Sequence, residues 1–305
     1  MTFGGPSELV AWPEPPDDWE GTRATLHLWA QVVGKVRLAW APRQCHWWNV
    51  PLYVTARGLT SSLIPHPSGR SFDIELDFVA QELVVRGTDG VEGRRHFTAE
   101  PVPDFYNATM ALLDKMGFAT NIWPMPVEIP GAVCFDLDDK HGEYDGAQAK
   151  QFWLTLVAAQ RVLEEFRSEF IGKSSPVHFF WGALDLAVTR FSGRAAPDYS
   201  ADVPNCGPHV MREAYSHEVS SCGFWPGPTG RGAFYSYAYP VPTAFPDADV
   251  TAPGRWDEDL GEFLLDYEDV RSSPDPTATV LRFLHETYDA AAELASWDRT
   301  SLERH

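Results

Sequence analysis

Residues 72–78 alternate without a break: Phe72-Asp73-Ile74-Glu75-Leu76-Asp77-Phe78. Successive side chains of a strand point to opposite sides of its sheet, so this two-residue period makes one apolar face and one acidic face, which a helix cannot do. A chain holding such a run must build a sheet and bury one side of it. Asp73, Glu75 and Asp77 are expected on a solvated face, with a cation site as the alternative. Further strands are predicted at 48–57, 62–65, 82–87 and 94–99, with turns at Pro67-Ser68-Gly69 and Asp89-Gly90. Short strands joined by tight turns predict antiparallel pairing.

Helical periodicity flanks this block. Leu26, Trp29, Val33 and Val36 recur at helical spacing within 19–40, with Asp17 or Asp18 as N-cap and Pro42 as the stop. A second helix is predicted at 104–117, ending at Gly117. A Pro-rich, then acidic connector covers 118–146, and a long helix follows at 147–170. Residues 178–194 read as one continuous buried strand. Alternation sets His178, Phe180, Leu184, Leu186, Val188 and Arg190 on one face and Phe179, Trp181, Asp185 and Thr189 on the other. Strands are also predicted at 212–227 and 234–239, the latter with Tyr235, Tyr237 and Tyr239 on one face, before a last helix at 276–297. Residues 1–18 form an irregular lead-in.

The fold class is therefore α+β, antiparallel sheets with packed helices. The order helix, strands, helix occurs twice, which divides the chain into halves 1–145 and 146–305 of one compact unit with a cleft between them. The repetition reads either as a duplication, its pseudo-twofold relating His46 to His178, or as chance likeness between short apolar strings.

A net charge of −19 disfavours nucleic acid and anionic membrane surfaces, both of which need clustered Lys and Arg. No apolar run is long enough to span a bilayer, and Met1 to Trp19 lacks the pattern of a signal peptide, so a cytoplasmic location is expected. The four cysteines form no C-x-x-C pair, which points to free thiols. Cys45 beside His46 would point to the opposite side of a strand from it. The glycine-rich nucleotide fingerprints and the G-x-S-x-G elbow are absent, so no nucleotide cofactor is expected.

The chain has 12 Trp, several beside polar residues, the pattern of an aromatic pocket with a few polar groups directed into it. Trp47, Trp48 and Trp225 are expected to wall that pocket, with His46, Asn49 and Tyr215 as binding residues. His178 and His217 are the candidate proton carriers, because an imidazole titrates near neutrality. Glu213 is the third catalytic candidate, sharing a polar strip with Tyr215, His217 and Ser221 on one strand, of the sort that lines a catalytic cleft. Arg57 and Arg190 would hold an anionic substrate group through planar forks, structural carboxylate bridges being the alternative. Asp185 reads either as half of an ion pair or as a functional acid. His46, His178 and His217 could form a three-histidine metal site, but no H-x-H or H-E-x-x-H spacing supports one, and none is assigned.

Several strings stand out together: Leu26-His27-Leu28-Trp29 with Gly34-Lys35; the run from His46-Trp47-Trp48-Asn49 to Arg57-Gly58-Leu59; Met125-Pro126-Val127-Glu128-Ile129; and Gly172-Lys173-Ser174 leading into His178-Phe179-Phe180-Trp181-Gly182. Through them nearly the whole chain resembles the bacterial family of unknown function DUF5996. That resemblance implies no activity and transfers no catalytic residue. From the residues, the expectation is an enzyme of lyase, isomerase or hydrolase type. It would act on a small anionic or aromatic metabolite by histidine-centred acid and base chemistry. The alternatives are a non-catalytic small-molecule binding protein, a metal-dependent enzyme, and a structural protein whose aromatics all fill its core.

Overall fold

A computed structural model describes residues 12–227 and 230–304. Residues 1–11, most of the expected lead-in, lie outside them. Helix α1 (Glu20–Trp40) is buried along most of its length, and the polar Gln31, Lys35 and Arg37 are buried with its apolar residues. A short 3-10 turn (Cys45–Trp47) leads to β1 (Tyr53–Val54), β2 (Gly58–Thr60), β3 (Ile64–Pro65), β4 (Ser71–Asp77), β5 (Glu82–Gly87) and β6 (Glu92–His96), followed by helix α2 (Val102–Lys115). These strands form an antiparallel sheet in the order β1-β2-β4-β5-β6, with β3 beside β4.

The alternating run is β4, and Phe72, Ile74 and Leu76 enter the core as its period requires. Its acidic side is covered, contrary to the expected solvated face. Arg86 donates to Asp73 at 3.0 Å and to Glu75 at 2.6 Å, while Arg57 donates to Asp77 at 2.5 Å. Carboxylates packed along one strand repel each other, and these guanidiniums neutralise them so that Glu75 and Asp77 can be buried.

The second half runs α3 (Gly146–Ser168), β7 (His178–Phe180), β8 (Asp185–Ala195), α4 (Pro208–Ala214), β9 (His217–Trp225), β10 (Ala233–Tyr239), β11 (Arg255–Asp257), β12 (Glu262–Asp266), α5 (Tyr267–Ser272), α6 (Pro276–Leu294) and α7 (Arg299–Leu302). Asp145 caps α3 by accepting from the backbone N–H of Ala147 at 2.7 Å, and Asp275 caps α6 through Ala278 at 3.0 Å. The sheet order is β11-β12-β10-β9-β8-β7, antiparallel throughout. Helices α3 and α6 pack on one face of it. Leu52 and Phe179 exchange two backbone hydrogen bonds of 2.9 Å, a bridge that joins the two sheets edge to edge.

Three sequence expectations are corrected. The stretch 178–194 is a hairpin: residues 181–184 turn, with Leu184 at φ 63°, and β7 folds back on β8. The expected strand at 48–57 shrinks to β1: Trp48 and Val50 donate back to the Cys45 and Trp47 carbonyls at 3.2 and 3.0 Å, which keeps 48–50 in a turn, and the chain turns again after Val54 to pair with β2. The expected strand at 212–227 begins as α4, started by Pro208 at its first turn, and only β9 is extended. Accordingly His46 and His178 do not occupy corresponding places, one being in a turn and the other in a strand. Among the described residues, no helix is long and apolar enough to cross a membrane.

Candidate functional site

Alternation along the second sheet decides which side chains meet which environment. Leu186, Val188 and Arg190 of β8 face α3 and α6. Arg190 lies there between rings, its guanidinium carbon 3.5 Å from the Phe166 centroid and 4.3 Å from that of Tyr288, and it donates to the Phe166 carbonyl. Asp185, Ala187, Thr189 and Phe191 face the other way and floor a cavity of about 790 Å³. Ser221 and Trp225 of β9, Tyr235 and Tyr237 of β10 and Glu262 of β12 extend that floor. The opposite wall comes from α1 at Lys35, the 3-10 turn, the connector at Trp123 and Glu128, and the loop and helix around Cys206 and Tyr215.

Three carboxyl groups share this space. Asp185 accepts a 2.5 Å hydrogen bond from the Tyr235 hydroxyl. Gly223 of β9 makes that reach available: it pairs with Tyr235, and a Cβ there would come within 2.6 Å of the phenol oxygen. Burial pushes Asp185 up to about 6 against the pull of that hydrogen bond. Glu128 rises to about 7, through burial first and the nearby Asp185 charge second, and Glu262 rises to about 7 for the same two reasons with Asp257 adding to them. Glu128 presents accessible surface to the cavity yet protein surrounds it, so water reaches the carboxyl without the screening of bulk solvent. None of the three has an ion-pair partner among the described residues.

Glu128 is held by its backbone. Its φ is 62°, and its N–H donates to the Pro204 carbonyl at 2.8 Å. The side-chain amide of Gln31, buried in α1, donates to the Val127 carbonyl and accepts from the Val127 N–H, both at 2.9 Å. One helical turn earlier, His27 Nε2 donates to the Gly182 carbonyl at 2.8 Å, and burial lowers this imidazole to about 4 so that it stays neutral. The Glu128 carboxyl lies against Gly182, where a Cβ would fall 2.1 Å from Oε1. A single face of α1 thus fixes both the hairpin turn and the acid that rests on it.

Of the residues expected from sequence, His46, Trp47, Trp48, Tyr215 and Trp225 line the cavity. His46 has both ring nitrogens committed: Nδ1 donates to the Ala214 carbonyl at 3.0 Å, and Nε2 accepts from Lys173 at 2.6 Å. Burial, followed by the nearby Lys173 and His217 charges, lowers its pKa. His178 is on the cavity side of the sheet but beneath the rings of Trp48 and Tyr53, at 5.8 and 5.6 Å. It is 1% exposed, neither ring nitrogen has a partner among the described residues, and burial drives it down to about 3. His178 and Arg190 therefore look to opposite sides of the sheet. His217, its ring 5.5 Å from that of His46, Asn49, Glu213, Arg57 and Arg190 lie outside the cavity lining. Glu213 pairs with Arg43 at 2.5 Å, and the Asn49 carbonyl receives Arg37 at 2.8 Å. Among the described residues, no three His, Cys, Asp or Glu side chains are grouped to hold a metal ion.

A model of DUF5996, described as a family of unknown function, matches residues 12–304. The chain belongs to that family. No curated protein and no solved structure matches it. In this DUF5996 member the acids Glu128 and Glu262 and the base Lys35 are cavity residues that sequence reasoning did not select, although Glu128 and Lys35 sit within the strings that carry the family resemblance.

Proposed function

We propose that this protein is an enzyme that takes a small, largely apolar or aromatic molecule into the cavity and acts on it by general acid and base catalysis with carboxyl groups. The observation that carries this reading is that Asp185, Glu128 and Glu262 face one aromatic-walled cavity and no described cation pairs with them. Gathering unpaired carboxyls in a cavity that desolvates them costs stability that a purely structural design would avoid. Asp185, kept as a carboxylate by the Tyr235 hydroxyl, suits the base, and Glu128, with a pKa of about 7, suits the acid. The histidine-centred version is less well supported, since His178 is covered and His217 lies outside the cavity lining. The anionic substrate loses its support as well, because Arg57 and Arg190 serve Asp77 and the α3–α6 rings.

The test is untargeted mass spectrometry of a metabolite mixture incubated with the wild type, Asp185→Asn and Glu128→Gln. The expected result is a species converted by the wild type alone, with each variant slower by about 10²-fold or more. Conversion that survives both substitutions, or binding without conversion by the wild type, overturns the catalytic reading; the latter makes this a binding protein.

A further inference from the structure

Lys35 is the one lysine of five that the fold buries; Lys115, Lys140, Lys150 and Lys173 are all exposed. It is 4% exposed, lines the cavity, and finds no hydrogen-bond acceptor or counter-ion among the described residues. Its ammonium meets two indole faces instead, 4.9 Å from the Trp123 centroid and 6.0 Å from that of Trp181. The helix is shaped for this contact. At Gly34 a Cβ would fall 2.1 Å from Trp181 Nε1, so glycine lets the indole lie on α1 beside Lys35, where it donates to the Val50 carbonyl at 2.8 Å. An amine held without a carboxylate partner, in a cavity that contains carboxyl groups elsewhere, is not placed for a structural salt bridge.

Two ligand chemistries suit such an amine, an anion or a carbonyl carbon. An anion is disfavoured here: among the described residues no arginine lines the cavity to share its charge, and three carboxyls on the same surface would repel it. We infer that Lys35 is a nucleophile that forms an imine with an uncharged aldehyde or ketone bound in the cavity. Its free amine adds to the carbonyl carbon. A proton from a cavity carboxyl lets the carbonyl oxygen leave as water, and the C=N bond replaces C=O with no change in oxidation state. Desolvation lowers Lys35 from 10.5 to about 8, which gives it roughly two orders of magnitude more free base at neutral pH than an exposed lysine. This inference rests on the cavity being the active site.

The experiment treats the full-length protein at pH 7.5 with limiting phenylacetaldehyde and sodium cyanoborohydride, which reduces an imine to a stable secondary amine, and maps the adducts by peptide mass spectrometry. Lys35 is expected to label at least tenfold faster than any of the four exposed lysines. Lys35→Met, shown folded by circular dichroism, should lose the fast phase and keep the slow one. Labelling of Lys35 no faster than that of the surface lysines overturns the inference. If the wild type also converts a metabolite while Lys35 stays unlabelled, acid and base catalysis stands and the imine falls. Fast labelling with conversion indifferent to Asp185→Asn and Glu128→Gln has the reverse meaning.

Discussion

Replacing His178 with Phe separates a structural histidine from a catalytic one. The imidazole is buried beneath Trp48 and Tyr53 with two unpartnered ring nitrogens, and its pKa falls to about 3, so the folded state holds it neutral. Leaving a buried polar group unsatisfied costs about 1–3 kcal/mol, while the bulk of a phenyl ring takes back about 1 kcal/mol in a packed site. His178→Phe should therefore raise stability by about 1 kcal/mol at pH 7.5. The sign with pH follows from a folded pKa below the unfolded 6.5: above 6.5 neither state is protonated and linkage adds nothing. As pH falls from 6.5 toward 3 the unfolded chain takes up a proton that the folded one refuses, and the wild type loses stability. At pH 5 that loss is about 2 kcal/mol, so the variant's advantage should grow to about 3 kcal/mol. Urea unfolding at the two pH values measures both gaps. An advantage that does not widen on acidification, or a folded variant that has lost turnover of a substrate identified by the metabolite screen, would refute the reasoning and return His178 to the chemistry.

The raised carboxyls act in the opposite direction. Asp185 has a folded pKa of about 6, above its unfolded 3.8, so it lowers wild-type stability as pH rises through that interval; Asp185→Asn should be more stable than the wild type by ~3 kcal/mol at pH 8 and gain nothing at pH 3.5, as read by urea unfolding. Arg190→Ala should cost about 3–5 kcal/mol, because it empties the space between Phe166 and Tyr288 and removes the donor to the Phe166 carbonyl, yet it should leave ligand affinity unchanged by calorimetry. Weakened binding in a folded Arg190→Ala protein would argue that this guanidinium reaches the ligand.

The long elements were legible because their signal is long. The apolar stripes of α1, α2, α3 and α6 and the strict alternation of β4 each extend over several turns or pairs. The hairpin at 181–184 was hidden because its turn is apolar and only Leu184, a residue with no turn preference, carries the positive φ. Strands β11 and β12 are short and stand beside Pro246 and Pro253, in a stretch that reads as loop. The aromatic wall could be anticipated, since Trp47, Trp48 and Tyr215 adjoin polar residues in sequence. The acids could not: Glu128 lies in a connector, Asp185 in an apolar run and Glu262 in an unread strand, and only strand register and backbone hydrogen bonds bring them to one cavity. Lys35 shows the same limit, because a lysine in an apolar helix normally carries its charge out to solvent along its stem.

The backbone bridge between Leu52 and Phe179 ties the edge of the first sheet to the edge of the second. Lys35, Trp48 and Glu128 belong to one side of that seam, and Asp185, Tyr235 and Glu262 belong to the other. On the proposed reading reactivity depends on assembly: a partly opened chain separates Lys35 and Glu128 from Asp185 and Glu262. A molecule that fills the cavity acts as a fastener across the join, and at a hundredfold excess over its Kd it would hold the join shut by about 2.7 kcal/mol.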